Sequence, residues 1–132
     1  MGDIVSPGER RRGDAMSEKP LLSLTVEFFE RTGYEVSYNA QLEGFSGLLH
    51  TFDILIKKEK EERPVFVKDW DRTVGVDIII KMDKAAEDVG LYNPIVVSER
   101  FSDHAKAYSN RRGITLMSKR DILPPQGQLL KK

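Results

Sequence analysis

The sequence predicts a small α/β domain with one mixed central sheet and helices on its faces. Apolar patterns along the chain follow the order helix, three strands, helix, strand, helix, strand. The final strand–helix–strand stretch indicates parallel pairing through a right-handed crossover, whereas the charged connection between the second and third strands is typical of an antiparallel hairpin. The 132 residues suffice for one such domain.

The first half of the predicted domain contains a helix and three strands. Apolar residues at helical spacing begin at Leu21, and Thr32 and Gly33 end the helix. Strands are predicted at Tyr34–Tyr38, Phe52–Ile56 and Val65–Val67.

In the second half, helices and strands alternate. Apolar spacing predicts a helix over Gly75–Val89, and Ser102 is the expected N-cap of a helix that runs to Arg112 and stops at Gly113. Further elements are predicted as strands at Pro94–Val97 and Ile114–Met117, and as a short turn at 121–123.

Composition sets the expected boundaries and compartment. We expect a disordered N-terminal arm over residues 1–20, the domain over 21–123 and a tail over 124–132, because both ends lack apolar periodicity. There is no cysteine, which excludes a thiol nucleophile and a Cys-ligated zinc site. No apolar run is long enough for a bilayer and no signal peptide is recognised, so we expect a cytoplasmic protein without membrane contact.

Charge is balanced overall but uneven along the chain. The 21 basic and 21 acidic residues cancel, so net charge gives no argument for nucleic acid. From Arg100 to the end, however, the chain contains eight Lys or Arg residues and only two acidic residues. This segment is compatible both with a phosphate-binding edge and with an ordinary solvated surface.

Asp53 and Lys68 are the first candidates for chemistry. They lie symmetrically about the hairpin midpoint between Lys60 and Glu61, so a symmetric pairing places them opposite each other at a strand end. Two interpretations are open. Asp53 holds Mg²⁺ while Lys68 orients water or stabilises charge on a phosphate, or the two residues form a cross-strand ion pair.

Three short motifs surround these residues. They are Gly-x-Ser-Gly-x-x-His-x-x-Asp ending at Asp53, Val-Phe-Val-Lys ending at Lys68, and Phe-Ser-Asp-His-Ala at 101–105. Together with the element order, they resemble the PD-(D/E)xK nuclease superfamily, and more closely its Mrr-type restriction endonuclease and Holliday-junction resolvase branch, over about 21–122. The resemblance implies a restriction-endonuclease-like αβββαβαβ core and DNA cleavage with Mg²⁺ or Mn²⁺.

The same resemblance implies roles for individual residues. Asp53 corresponds to the metal-binding acid of strand two, Lys68 to the catalytic lysine and Glu27 to a helix acid. The strand-three acid of the family corresponds to Phe66, and a benzyl group cannot bind a cation. Either another acid replaces it, or catalysis has been lost and a DNA-binding shell survives.

Three acids are candidates for that replacement: Asp77, Asp69 and Asp71. Asp77 on the second helix is favoured, because strand alternation turns Asp69 away from Lys68.

Several further residues are candidates for contacts with nucleic acid. Each also has an ordinary structural interpretation, such as a solvated side chain, a helix cap or a charge opposing a helix dipole. The candidates are Ser46, His50, Trp70, Arg72, Ser102, Arg111 and Arg112.

The sequence is compatible with three functions. The first is a metal-dependent endonuclease or junction resolvase acting on duplex or branched DNA, either as a single chain or as a homodimer. The second is an inactive nucleic-acid-binding module of the same fold, which requires no cofactor. The third is an interaction or dimerisation domain without nucleic acid, supported mainly by the neutral net charge.

Overall fold

The computed structural model describes residues 19–124. The expected arm and the expected tail both lie almost wholly outside these residues, so both stay predictions. In chain order the elements are α1 (Leu21–Arg31), β1 (Glu35–Glu43), β2 (Leu49–Lys58), β3 (Glu61–Lys68), α2 (Val76–Asp88), β4 (Ile95–Ser98), α3 (Asp103–Arg112), β5 (Thr115–Met117) and α4 (Lys119–Ile122).

The five strands form one mixed sheet in the order β1-β2-β3-β4-β5. The pairings of β1 with β2 and of β2 with β3 are antiparallel, and the two that follow are parallel. The predicted mixed α/β architecture is therefore confirmed. No helix in the described part of the chain has the length and apolar character needed to cross a membrane.

Helices cover both faces of the sheet. On one face, α1 and α4 pack on residues such as Ile54 and Val65, and on the other, α2 and α3 pack on Phe66 and Val96. Val65 and Phe66 are adjacent but enter different core clusters, as strand alternation requires. The candidate functional site lies on the α2 side.

The hairpin of β2 and β3 differs from its predicted register. Its strands are longer than predicted, and the pair Lys58↔Glu61 leaves a two-residue turn in which Glu59 has φ 58°. The pairing ends at Ile54↔Val65, so Asp53 has no paired residue on β3 and the predicted pair with Lys68 does not form. The symmetric pairing was wrong because burial of strand residues, rather than the midpoint of the charged segment, sets the register.

The two helices on the α2 side are joined by a buried carboxylate. Asp83 Oδ2 accepts hydrogen bonds from the Tyr108 hydroxyl and from Arg112 Nε, both at 2.9 Å. Asp83 is 7% exposed, whereas Arg112 lies nearer the surface. Burial, followed by the hydrogen bond to Asp83, raises the pKa of Tyr108.

We expect Asp83→Ala to lower the free energy of unfolding by about 1–3 kcal/mol, because Tyr108 and Arg112 both lose their acceptor. Glu87→Ala, at an exposed acid of the same helix, is the control and should cost less than about 0.5 kcal/mol. Urea unfolding followed by circular dichroism measures both. Equal losses would show that the buried carboxylate does not stabilise the contact of α2 with α3.

Candidate functional site

The candidate site lies where β2 and β3 separate. Their paired residues end at Ile54↔Val65, whereas β3 continues beside β4 as far as Lys68↔Ser98. In the gap, Asp53 Oδ2 accepts a hydrogen bond of 2.9 Å from the Val67 N–H. The Asp53 carboxylate therefore takes the place of a ladder acceptor on β2.

β2 changes direction at the same point. Ile54 packs in the core cluster under α1, but Phe52, two residues earlier, packs in the cluster under α2. The pairing of β1 with β2 is interrupted at the same place, between Tyr38↔Ile54 and Ala40↔Phe52, where Asn39 has φ 48°. Regular alternation is thus interrupted at Asp53, and the first half of β2 turns towards α2.

Asp53 and Lys68 line one open cleft of about 340 Å³. α2 forms the opposite wall, and the cleft is lined by Thr51, Asp53, Phe66, Lys68, Ile78, Lys81, Met82 and Ala85. Within residues 19–124, Asp53 and Lys68 form no ion pair, so the ion-pair interpretation is wrong. The two charged groups share a cleft without neutralising each other directly.

Phe66 occupies the position expected for the second acid. It is 8% exposed, and its ring meets that of Phe52 edge-on at 5.4 Å between centroids. Such an aromatic pair stabilises the core beyond simple area burial. Phe66 is therefore part of the floor of the cleft and supplies no ligand.

A basic and aromatic cluster follows Lys68. Lys68 Nζ lies 5.4 Å from the centroid of the Trp70 ring, and Arg72 Cζ lies 4.0 Å from it. Trp70 is partly buried against the α2-side core, and its indole Nε1 has no hydrogen-bond partner among the described residues. The Trp70 ring therefore contacts the cationic groups of both Lys68 and Arg72 next to the Asp53 cleft.

The other candidate acids lie elsewhere. Glu27 Oε2 pairs with Lys19 Nζ at 2.7 Å. Asp69 accepts the Leu21 N–H at 3.1 Å, and so faces α1 as strand alternation predicts. Asp71 and Asp77 are both exposed, and neither lines the cleft.

These donors do not fit a magnesium site. Mg²⁺ is held by carboxylates and other oxygen ligands, yet the cleft contains the single carboxylate of Asp53 and the ammonium groups of Lys68 and Lys81. No group of three potential ligands occurs anywhere in residues 19–124. The cleft as it stands lacks the oxygen ligands that Mg²⁺ requires.

Comparison with known proteins identifies the family. The restriction endonuclease family, through its Mrr catalytic domain, matches residues 13–124. The chain belongs to the restriction endonuclease family. Domains of this type generally use Mg²⁺. The Asp53 cleft of this chain contains a single carboxylate and differs from that pattern. No curated protein sequence matches it.

Two crystal structures share the fold of this restriction endonuclease domain. A protein of unknown function, AF1548, superposes with a TM-score of 0.68 at 18% identity, over 80% of this chain and 60% of its own. Protein VC1899 from Vibrio cholerae superposes with a TM-score of 0.58 at 13% identity, over 84% of this chain. This chain spans 60% and 31% of their respective lengths.

Ser46 and His50 are bound to Asp88 at the end of α2. Asp88 Oδ2 accepts Ser46 Oγ at 2.6 Å and contacts His50 Nε2 at 2.7 Å, while Oδ1 accepts the Ser46 N–H at 3.1 Å. A Cβ on Gly44 would lie 1.9 Å from Asp88 Oδ2, so a larger residue there would displace the Asp88 carboxylate. We call this group of Gly44, Ser46, His50 and Asp88 the tip anchor, because it fastens the β1–β2 turn to α2.

The hydrogen bonds of the tip anchor have an electrostatic consequence. The bond from Ser46, followed by that from His50, lowers the pKa of the Asp88 carboxyl below its ordinary value of 3.8. Donors that stabilise a carboxylate favour its ionised form. The anchor is therefore strongest when Asp88 is charged.

Of the remaining predicted DNA contacts, Ser102 and Arg112 make side-chain hydrogen bonds within residues 19–124, and Arg111 does not. Ser102 Oγ accepts the Ala105 N–H at 3.0 Å, so it caps α3 as expected. Arg112 binds Asp83, and Arg111 is exposed in the last turn of α3. None of these three residues lines the Asp53 cleft.

Sequence reasoning missed Lys81, the residue that closes the cleft from α2. The sequence indicates only which side of the helix Lys81 lies on. Ile78, Met82 and Ala85 form the apolar stripe of an amphipathic helix, and Lys81 lies at the edge of that stripe. That this edge faces Asp53 follows from packing and not from helical periodicity.

We expect Phe66→Ala to destabilise the domain by about 3–5 kcal/mol, since a buried aromatic side chain leaves a cavity. Phe45→Ala, at a phenylalanine that is 87% exposed, is the matched control. It should change the free energy of unfolding by less than about 0.5 kcal/mol. Similar values for the two variants in chemical denaturation would contradict a packing role for Phe66.

We expect Asp88→Asn to destabilise the domain at neutral pH, and the difference from wild type to shrink in acid. A carboxyl with a lowered folded pKa stabilises fully above its unfolded value, 3.8, and loses that stabilisation as pH falls through the folded value. Thermal unfolding from pH 7 to pH 2.5 measures this. Asp77→Asn, on the exposed surface of the same helix, is the control, and an equal pH dependence in both variants would contradict the role of the tip anchor.

Proposed function

We propose that this restriction endonuclease domain binds the phosphodiester backbone of DNA in the Asp53 cleft. The observation that carries the proposal is the position of Lys68 and Lys81, one on β3 and one on α2, on the two walls of a cleft with one carboxylate. Two ammonium groups on facing walls suit an oxygen-rich anion such as a phosphate.

The surroundings of Lys68 support the same ligand. Arg72 adds a further cation beside the cleft, and the face of Trp70 holds both side chains close to it. Cations that contact successive phosphates provide most of the sequence-independent affinity for DNA. Duplex and branched DNA both carry this backbone.

DNA cleavage is the second candidate function. It is favoured by the presence of Asp53 and Lys68 in one cleft, the two positions that match the family pattern, and by membership of a nuclease family. Dependence on Mg²⁺ or Mn²⁺, action on four-way junctions and a homodimer that cuts two strands all belong to this second proposal. A single carboxylate weighs against it, since catalytic metal sites need ligands held in exact places.

Binding and cleavage are tested by separate measurements on the same variants. If the cleft binds phosphate, Asp53→Asn removes a repulsive charge while its amide oxygen still accepts the Val67 N–H, and affinity should rise. Lys68→Ala and Lys81→Ala should each lower affinity and reduce the slope of log K against log salt by about 1. Fluorescence anisotropy with labelled duplex and four-way-junction DNA in EDTA measures this.

Lys60→Ala is the matched control, because Lys60 lies in the exposed turn at the far end of the β2–β3 hairpin. Its affinity should stay within about twofold of wild type, as expected for a lysine without a phosphate contact. Cleavage in Mg²⁺ or Mn²⁺ that disappears in Asp53→Asn and in Lys68→Ala would establish the nuclease. Affinity unchanged in both cleft lysine variants would overturn the proposed binding site.

A further inference from the structure

The turn between β1 and β2 exposes a cluster of apolar side chains. Phe45 is 87% exposed, Leu48 62% and Leu49 65%. We propose that Phe45 and Leu48 form a contact surface for unpaired bases of the DNA whose backbone lies in the Asp53 cleft. This inference rests on the proposed function and names the form of DNA that the site prefers.

The apolar turn adjoins the cleft directly. Phe45 and Leu48 line a second open cavity of about 630 Å³ against α2. Lys81 and Ala85 line this cavity and the Asp53 cleft alike. A DNA strand with phosphates near Lys68 and Lys81 therefore passes beside the apolar β1–β2 turn.

Hydrogen bonds hold the backbone of the turn against α2 although the apolar side chains of the turn are exposed. The Phe45 N–H donates to the Asp88 carbonyl at 2.8 Å, and the Gly44 N–H donates to the Leu48 carbonyl at 2.8 Å. The tip anchor adds the bonds from Ser46 and His50 to the Asp88 carboxylate. Because these bonds hold the backbone of the turn, binding by Phe45 orders only a side chain with two rotatable bonds, and the loss of conformational entropy is small.

The chemistry of the surface suits the faces of unpaired bases. Phe45 and Leu48 have no polar group that reads the edge of a paired base, but an aromatic ring stacks on the face of any unpaired base. Lys84 is a cation on the same cavity wall for an adjacent phosphate. Glu87 and Asp88 also line the cavity, so charge alone does not provide the affinity.

The test uses three labelled DNA probes in EDTA: a fully paired duplex, the same duplex with a three-nucleotide single-stranded gap, and the gapped duplex with abasic residues in the gap. The wild-type protein should bind the gap with bases about 5- to 100-fold more tightly than the abasic gap. Phe45→Ala should remove this preference and leave affinity for the paired duplex within about twofold.

Tyr92→Ala is the control, since Tyr92 is 70% exposed and lines a different cavity. It should keep the base preference of the wild type. If Phe45→Ala retains the preference while Lys81→Ala still weakens binding to all probes, this inference is overturned and the backbone site stands. If the wild type binds none of the probes, the proposed function fails and this inference fails with it.

Sedimentation velocity covers the remaining outcome. A concentration-dependent dimer that is lost in Phe45→Ala, without any base preference in the wild type, would assign the apolar turn to a second copy of this chain and would overturn the inference.

Discussion

The separation of β2 and β3 at Asp53 is the constraint on which the site depends. From Ile54↔Val65 to the hairpin turn the two strands are paired, and Ile54 and Val65 lie in the core under α1. Beyond Asp53 the Val67 N–H has no backbone acceptor on β2 and takes the Asp53 carboxylate instead. A buried N–H without an acceptor costs free energy, so the polar side chain at this position serves the fold as well as the cleft.

Phe66 shows how the core and the site compete for one position. An acid there would add a ligand beside Asp53, but its side chain would replace a ring that packs on Phe52. A charged group at a position that is 8% exposed needs partners to offset its desolvation. In this chain the position serves packing, and the cleft has two lysines and one carboxylate.

Helix α2 connects the separate parts of the functional surface. Its apolar stripe packs under the sheet, Lys81 closes the Asp53 cleft, and Asp88 at its last turn fastens the β1–β2 turn. Asp83 on the same helix holds α3. One rigid element thus fixes the distance between the basic cleft and the exposed Phe45.

The sequence by itself determined the element order, the two kinds of strand pairing and the family resemblance. Helical and alternating periodicities depend on local geometry, and the caps at Ser102 and Gly113 are local as well. The sequence also predicted that Asp53 and Lys68 lie near one another, because a hairpin brings its two strands together whatever its register.

Only the tertiary structure decided the register of that hairpin, the isolation of Asp53 from other acids and the place of Lys81. Register depends on which side chains the core buries, which the charged turn sequence does not specify. Asp69, Asp71, Asp77 and Glu27 are near the site in sequence or by family position, but their side chains face other elements or solvent. Strand alternation sufficed to turn Asp69 away from Lys68, but which element or solvent region the other three acids face is set by packing between distant segments, and local periodicity does not specify it.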